Sequence, residues 1–368
     1  MNKNFYSLGL MSGTSIDGID ASIIRSDGEQ FLEIIDDVYL KYDSKLRDKL
    51  KRTIDSCFSK NQLTKFFIDI KEVEKEMTIF HAKVCKLIIK KNKKINVDLI
   101  GFHGQTILHK PKEGYSIQIG NSHLLSKMTN KIVVSNFREN DILHGGNGAP
   151  LVPLYHKLLS SKIKLNFPLA FINIGGISNI TYIENKKKLI SFDTGPGNYL
   201  IDQWIKRKSK MNFDNKGLIA QSGNLKKNIL KKFLNDPYYN KKPPKSLDVK
   251  DFDLIDLNTL SLKDGCRTLS MLTVESICKS IDKLKKVPKN ILFSGGGRKN
   301  QFIIGEIKNK INTPVYLIDE FNFDGDFIES QAFAYLAIRS FLKKVITLPE
   351  TTGVKKPCTG GSIYKIKL

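Results

Sequence analysis

Cysteine is scarce and poorly placed for structural chemistry. The five residues, Cys57, Cys85, Cys266, Cys278 and Cys358, are odd in number, scattered, and without a Cys-x-x-Cys pair. That spacing argues against a disulfide framework and against a zinc site. No apolar run approaches the 18 residues of a membrane span. The first ten residues lack the apolar stretch of a secretory leader, so a cytoplasmic protein with no membrane partner is expected. Negative charge is also short: 60 Lys+Arg stand against 37 Asp+Glu, a net charge of +23. Such an excess suggests a polyanion partner. Here it is nearly all lysine, spread through runs such as Lys90-Lys91-Asn92-Lys93-Lys94 and accompanied by abundant Asn and Ile, as AT-rich coding sequence would produce. Nucleic-acid binders favour arginine forks interleaved with aromatics, which are missing, so no nucleic-acid partner is expected. Neither a GxxxxGK[ST] phosphate loop nor the protein-kinase HRD and DFG set is present.

What the chain does have is a series of apolar runs that end in glycine, hydroxyl and carboxylate groups. At 368 residues it exceeds the usual size of one core, so two lobes are expected. Residues 5–24 read as a β-hairpin whose turn holds Ser12, Gly13, Thr14, Ser15 and Asp17. Such a turn offers N–H groups and hydroxyls to an anion and one carboxylate to a metal, although plain hairpins share this composition. A strand over 38–42 and two amphipathic helices follow, the second spanning Leu63 to Leu87 and carrying a structural His81.

A buried strand over 97–102 ends in His103-Gly-Gln-Thr106, which puts His103 and Gln105 forward as substrate contacts; His109 is equally well structural. Arg138, just past a strand at 132–135, suits either a carboxylate clamp or a surface ion pair. Residues 169–183 repeat the opening layout, a hairpin with Gly175-Gly-Ile-Ser-Asn179 at its turn, which suggests two related halves. A strand over 290–293 ends in Ser294-Gly-Gly-Gly-Arg-Lys-Asn300, where three glycines permit flat approach of a nucleobase or ribose. Glu329 opens an apolar helix, and the extended Lys241-Lys-Pro-Pro-Lys-Ser246 is expected at the surface or lining a cleft.

The chain is organised around Leu189-Ile-Ser-Phe-Asp-Thr-Gly-Pro-Gly-Asn198, in which a strand delivers Asp193, a turn follows, and Tyr199 begins a helix. This is how α/β folds build anion and catalytic sites, but an ordinary capped turn fits it equally.

Eight segments together carry a specific resemblance. Met11-Ser-Gly-Thr-Ser-Ile-Asp-Gly-Ile-Asp20, Gly101-Phe-His-Gly-Gln-Thr106, Asn136-Phe-Arg138, Gly148-Ala-Pro-Leu-Val-Pro153, Asn173-Ile-Gly-Gly-Ile-Ser-Asn179, Phe192-Asp-Thr-Gly-Pro-Gly-Asn198, Pro243-Pro-Lys-Ser246 and Thr351-Thr-Gly353 resemble, in order, the motifs of the anhydro-N-acetylmuramic acid kinases. The resemblance implies an α/β, two-lobed, actin-like ATPase fold, a duplicated RNase H-like unit with an interlobe cleft for nucleotide and sugar. Lobe one is expected to span 1–130 with the tail 341–368, and lobe two 131–340, the cleft closing on substrate. It further implies a kinase of peptidoglycan recycling that uses ATP and Mg²⁺. Water would open the anhydro ring of 1,6-anhydro-N-acetylmuramic acid, and O6 would be phosphorylated to give N-acetylmuramate 6-phosphate and ADP. A homodimer is implied as well.

Under this resemblance Asp193 is the general base. Gly13, Thr14, Ser15, Ile16, Asp17, Gly18, Ile19 and Asp20, with Gly175, Gly176, Ser178, Asn179, Gly195, Gly197 and Asn198, would lie along the ATP phosphates. Gly295, Gly296 and Gly297 would lie on the adenosine. Thr14, His103, Gln105, Arg138 and Glu329 would hold the sugar, and Asp17 the metal. The chain departs from the family pattern at Leu247-Asp-Val-Lys250, after Pro243-Pro-Lys-Ser246, and at Arg298, where the family usually shows Ala. A kinase for another sugar, a non-catalytic ATPase module and a basic RNA- or membrane-surface protein are the competing readings.

Overall fold

The computed structural model describes residues 3–57, 59–252, 257 and 259–365. In chain order the strands are β1 Phe5–Met11, β2 Gly18–Ser26, β3 Leu32–Lys41, β4 Leu99–Phe102, β5 Gln105–Lys110, β6 Tyr115–Ile119, β7 Ile132–Ser135, β8 Leu169–Ile174, β9 Ile177–Ile183, β10 Leu189–Pro196, β11 Asn290–Ser294, β12 Val315–Leu317 and β13 Ser362–Tyr364. The helices are α1 Ser44–Ser56, α2 Lys60–Lys65, α3 Phe67–Lys91, α4 Ser122–Thr129, α5 Glu139–Leu143, α6 Pro153–Lys162, α7 Tyr199–Lys208, α8 Leu218–Gln221, α9 Lys227–Leu234, α10 Leu262–Asp282, α11 Gln301–Lys310, α12 Ile328–Phe341 and α13 Pro349–Thr352. The expected helix from Leu63 to Leu87 is broken at Phe66, whose ψ of 21° leaves the helical range and whose N–H turns back to Gln62 and Thr64.

Two compact units result, residues 1–161 with 327–368, and residues 162–326. The first has a sheet in the order β13-β7-β4-β1-β2-β3, with β1, β2 and β3 antiparallel and β4 and β7 parallel to β1. The second has β10-β9-β8-β11-β12, again an antiparallel meander followed by two parallel strands. Leaving β13 aside, the two orders are the same. This is the duplicated RNase H-like α/β arrangement, and each hairpin expected at 5–24 and 169–183 is the first hairpin of its unit.

The unit boundaries differ from the expected lobes. Residues 131–161 and 327–340 fall in the first unit because β7 pairs with β4, and because α12 lies on β1, β2 and β4. Of the expected tail, 366–368 lie outside the described residues. The approach of α12 is close enough to dictate sequence. A Cβ on Gly9 would lie 1.9 Å from the Ser330 carbonyl oxygen, and one on Gly101 would lie 2.2 Å from that of Phe333. Glycine at both positions thus sets the distance from sheet to helix, and with it the height at which Glu329 stands.

In the second unit the core gathers around Trp204, fully buried on α7, with Ile172, Phe293, Leu272 and Ile277 in the same cluster. Its indole N–H donates to the Leu262 carbonyl at 3.0 Å, so the ring is buried without losing a hydrogen bond.

Candidate active site

The residues that the sequence put forward divide between the units. In the first, the turn after β1 is braced from below. Ser12 donates to Gln105 Oε1 at 2.7 Å, the Tyr42 hydroxyl donates to Ser12 at 3.0 Å, and the Gln105 amide reaches the Gly13 carbonyl at 3.4 Å. Gln105, expected against the sugar, thus has both ends of its amide turned to residues 12 and 13. The turn closes with Ile16 N–H on the Gly13 carbonyl at 3.2 Å. Ile16 takes φ +55°, a region that costs a β-branched residue on the order of 1–3 kcal/mol and that concentrates at ligand sites. Thr14 and Ser15 are exposed and the face of Gly13 is open. Gly18, Ile19 and Asp20 belong to β2, and the Ile19 side chain is fully buried in the core. Asp17 is half exposed, one oxygen held by Arg47 at 2.6 Å.

Arg138 is oriented by its surroundings. Its Nε and Nη2 point to His103 Nε2 at 3.1 and 3.0 Å, and Nη1 donates to the Gly148 carbonyl at 2.7 Å. A guanidinium can only donate, so His103 Nε2 carries no proton. Nδ1, 2.9 Å from the Gly104 carbonyl, carries it. Burial, then the Arg138 charge, push the His103 pKa down to about 3, so the ring stays neutral. His103 therefore positions Arg138. His109 is engaged by Ser116 within the β5–β6 hairpin, the structural alternative. Glu329 is raised by burial, and the Arg138 charge acts in the opposite direction. The loop 144–148 is fixed by Asp141, a buried carboxylate that the sequence reading passed over. It accepts Gly148 N–H at 2.7 Å and the Thr352 hydroxyl at 2.6 Å, which accounts for the Thr351-Thr-Gly353 segment.

In the second unit β10 does not stop at Asp193. It pairs with β9 through Pro196, with a bulge between Asp193 and Gly195, so the expected turn begins only at Gly197. Asp193 is 7% exposed and is held on several sides. Its N–H donates to the Lys245 carbonyl at 3.0 Å, its carbonyl accepts the Tyr238 hydroxyl at 2.5 Å, and Oδ2 accepts Leu247 N–H at 2.8 Å. In the segment 241–246, expected at the surface or lining a cleft, Lys245 packs against Asp193, as does Leu247 just after it. Lys245 is 8% exposed, donates to the Tyr238 carbonyl at 3.0 Å and stands 4.2 Å over the Tyr238 ring. Burial, then Lys283 and Lys241, push its pKa down to about 8, against the Asp193 carboxylate.

The Gly-rich segments of this unit come together. N–H groups of Gly197 and Tyr199 donate to the Gly176 carbonyl and that of Asn198 to the Gly175 carbonyl, at 2.9, 3.2 and 2.8 Å. The Thr194 hydroxyl reaches the Ser178 carbonyl at 3.1 Å. A Cβ on Gly295 would lie 2.2 Å from Asn173 Oδ1, and one on Gly297 would lie 2.2 Å from Ile174 Cγ2. Two of the three glycines therefore serve the protein's own packing, and Gly296 alone presents an open face.

Residues 5–366 match the family model described as anhydro-N-acetylmuramic acid kinase. The chain belongs to that family. An anhydro-N-acetylmuramic acid kinase of Pelagibacter ubique (strain HTCC1062) is 47% identical, the match covering 99% of this chain and all of that protein. One from Agrobacterium fabrum is 40% identical over 98% of each chain. Membership makes the chain a phosphotransferase. Among solved structures, the activator of 2-hydroxyisocaproyl-CoA dehydratase from Clostridium difficile with bound ADPNP matches over 91% of this chain and 94% of its own. It is 11% identical, with a TM-score of 0.43. A glucokinase of the ROK family from Streptomyces griseus, in complex with glucose and AMPPNP, is 11% identical with a TM-score of 0.38, over 90% and 99%. Both are too distant to carry an argument about this chain's site.

Proposed function

We propose that this chain uses ATP to phosphorylate O6 of 1,6-anhydro-N-acetylmuramic acid while water opens the anhydro ring. Water oxygen forms a bond to C1 as the C1–O6 bond breaks. The released O6 then bonds to the γ-phosphorus as the bond to ADP breaks, and Asp193 takes the water's proton. The products are N-acetylmuramate 6-phosphate and ADP, a step of peptidoglycan recycling in the cytoplasm. No helix among the described residues is long and apolar enough to cross a membrane. The family resemblance supports a homodimer.

The observation that carries this reading is the setting of Asp193 in a chain of this family. A general base must be held within hydrogen-bond reach of the proton it removes. Asp193 is clamped through its N–H, its carbonyl and Oδ2, an arrangement that fixes the carboxylate before substrate arrives. Arg138, oriented by His103, would take the lactyl carboxylate, with Thr14 and Glu329 on the sugar. Residues 13–20, 175–179 and 195–198 would lie along the phosphates and 295–297 on the adenosine.

Phosphoryl transfer of this kind runs with Mg²⁺. Among the described residues no group of three His, Cys, Asp or Glu is arranged to hold a metal ion. A cage is not required, because Mg²⁺ keeps waters and binds through one or two carboxylates and the phosphates. The half-exposed Asp17, steadied by Arg47, suits that role and would hold the ion. When bound, the ion neutralises charge on the transferring phosphoryl group.

The test is ADP release by the purified protein with and without 1,6-anhydro-N-acetylmuramic acid, beside N-acetylmuramate and glucose. Turnover is expected with the anhydro-sugar alone. Equal release without sugar, or preference for another sugar, contradicts the proposal.

A further inference from the structure

The triple-glycine loop is tied down by a device that none of the proposed binding roles uses. Arg298 follows Gly297 and is buried, its side chain 4% exposed. Its Nε and Nη2 grip both oxygens of Asp319 at 2.7 and 2.8 Å, and Nη2 also reaches Asp324 at 3.2 Å. Nη1 donates to Asp326 at 2.5 Å and to the Gly295 carbonyl at 3.1 Å. A guanidinium has five N–H donors, so these contacts commit all of them. The backbone closes the same ring: Gly295 N–H donates to the Gly325 carbonyl at 3.0 Å, and Arg298 N–H to the Gly295 carbonyl at 3.2 Å. Gly325 lies so close that a Cβ there would stand 2.3 Å from Arg298 Nε. A charge this deeply buried persists only where it is fully paired, and only arginine spans three carboxylates and a carbonyl at once.

We propose that Arg298 is a positioning residue for the nucleotide: by tying residues 295–297 to the segment 319–326, it holds the open face of Gly296 ready for adenosine. This rests on the reading that residues 295–297 face the adenosine. Binding a nucleotide to a loop fixed in advance avoids the cost of ordering it, so the loss should fall on nucleotide affinity. Arg298 is given no part in the proton transfer at Asp193, so the chemical step should be little changed.

The experiment measures KM for ATP, KM for the anhydro-sugar, kcat, and ADP affinity by calorimetry, with a thermal melt for each variant. Arg298→Ala should raise KM for ATP about tenfold or more, with kcat within about threefold and sugar KM unchanged. Arg298→Lys should not restore it, because an ammonium cannot reproduce the fork. Asp319→Asn, which removes the main partner and leaves the arginine in place, should weaken ADP binding several-fold and stands in if Arg298→Ala does not fold. A residue that only stabilised the fold would lower the melting temperature and the active fraction while leaving KM for ATP alone. Gly296→Val, whose new side chain meets open space, tests the underlying reading separately. If Gly296→Val weakens ATP binding and the Arg298 and Asp319 variants do not, the clamp is refuted and the loop assignment stands. If Gly296→Val has no effect either, the loop assignment fails and the clamp with it.

Discussion

Replacing Asp193 by Asn alters one charge and almost nothing else. Asn keeps the shape, and its carbonyl oxygen can still accept the Leu247 N–H that now meets Oδ2 at 2.8 Å. The two backbone clamps, to Lys245 and Tyr238, are untouched. The folded state loses the attraction of Asp193 for Lys245 and the charged character of the Leu247 hydrogen bond, the latter on the order of 1 kcal/mol. For a unit of this size that is a melting shift of about 2–4 °C. Under the proposed mechanism the reaction loses its proton acceptor. General-base catalysis contributes about 10²–10⁴-fold, or roughly 3–5.5 kcal/mol of transition-state stabilisation. The Asp193→Asn protein should therefore be folded, bind ATP and sugar with KM values close to wild type, and turn over at least about a hundredfold more slowly. Steady-state ADP release at saturating substrates reads this directly, with a melt as control. A folded variant with near-wild-type kcat would refute the role of Asp193. A large rise in sugar KM at unchanged kcat would make it a binding residue instead.

Lys245 gives a pH signature. Its folded pKa, about 8, lies below the unfolded value near 10.5, so stability from this group is fully present above the unfolded pKa. It is lost as pH falls towards 8, where the buried ammonium must charge beside Lys283 and Lys241, opposed by Asp193. Urea unfolding at pH 7 and pH 10 should show wild type gaining stability relative to Lys245→Met; an equal difference at both pH values contradicts this. Gly101→Ala should destabilise by about 1–3 kcal/mol through its clash with the Phe333 carbonyl, and a neutral result in denaturant titration would contradict the tight seat of α12. Arg138→Lys cannot satisfy His103 and Gly148 together and still meet the carboxylate proposed for it. Sugar KM should rise about tenfold with ATP KM unchanged, and an unchanged sugar KM would place the lactyl carboxylate elsewhere.

Much of this was legible from local pattern. Alternating apolar residues with a Gly-Ser turn between them marked both hairpins, and repetition of that layout marked the duplication. What escaped is set by distant contacts. β10 continues past Asp193 because Gly195 and Pro196 pair with Ser178 and Ile177, so residues that look like a turn finish a strand. Lys245 sits in a proline- and lysine-rich run that reads as surface or as the lining of a cleft; Tyr238 and the backbone of Asp193 bury it. Helix α12 joins the first unit through Gly9 and Gly101, far away in the chain, which no local window reports. Arg298 looked like a departure in a loop until Asp319, Asp324 and Asp326 supplied its reason.

The central claim, that water activated at Asp193 opens the ring as O6 is phosphorylated, is tested most directly by turnover in ¹⁸O-water. The product is trapped early with borohydride so that exchange at the anomeric carbon is arrested, and the label is located by mass spectrometry. The account predicts one ¹⁸O at C1 for each ADP released and none in the phosphoryl group. Unlabelled C1, or label appearing in free phosphate at the rate of ADP release, would contradict it.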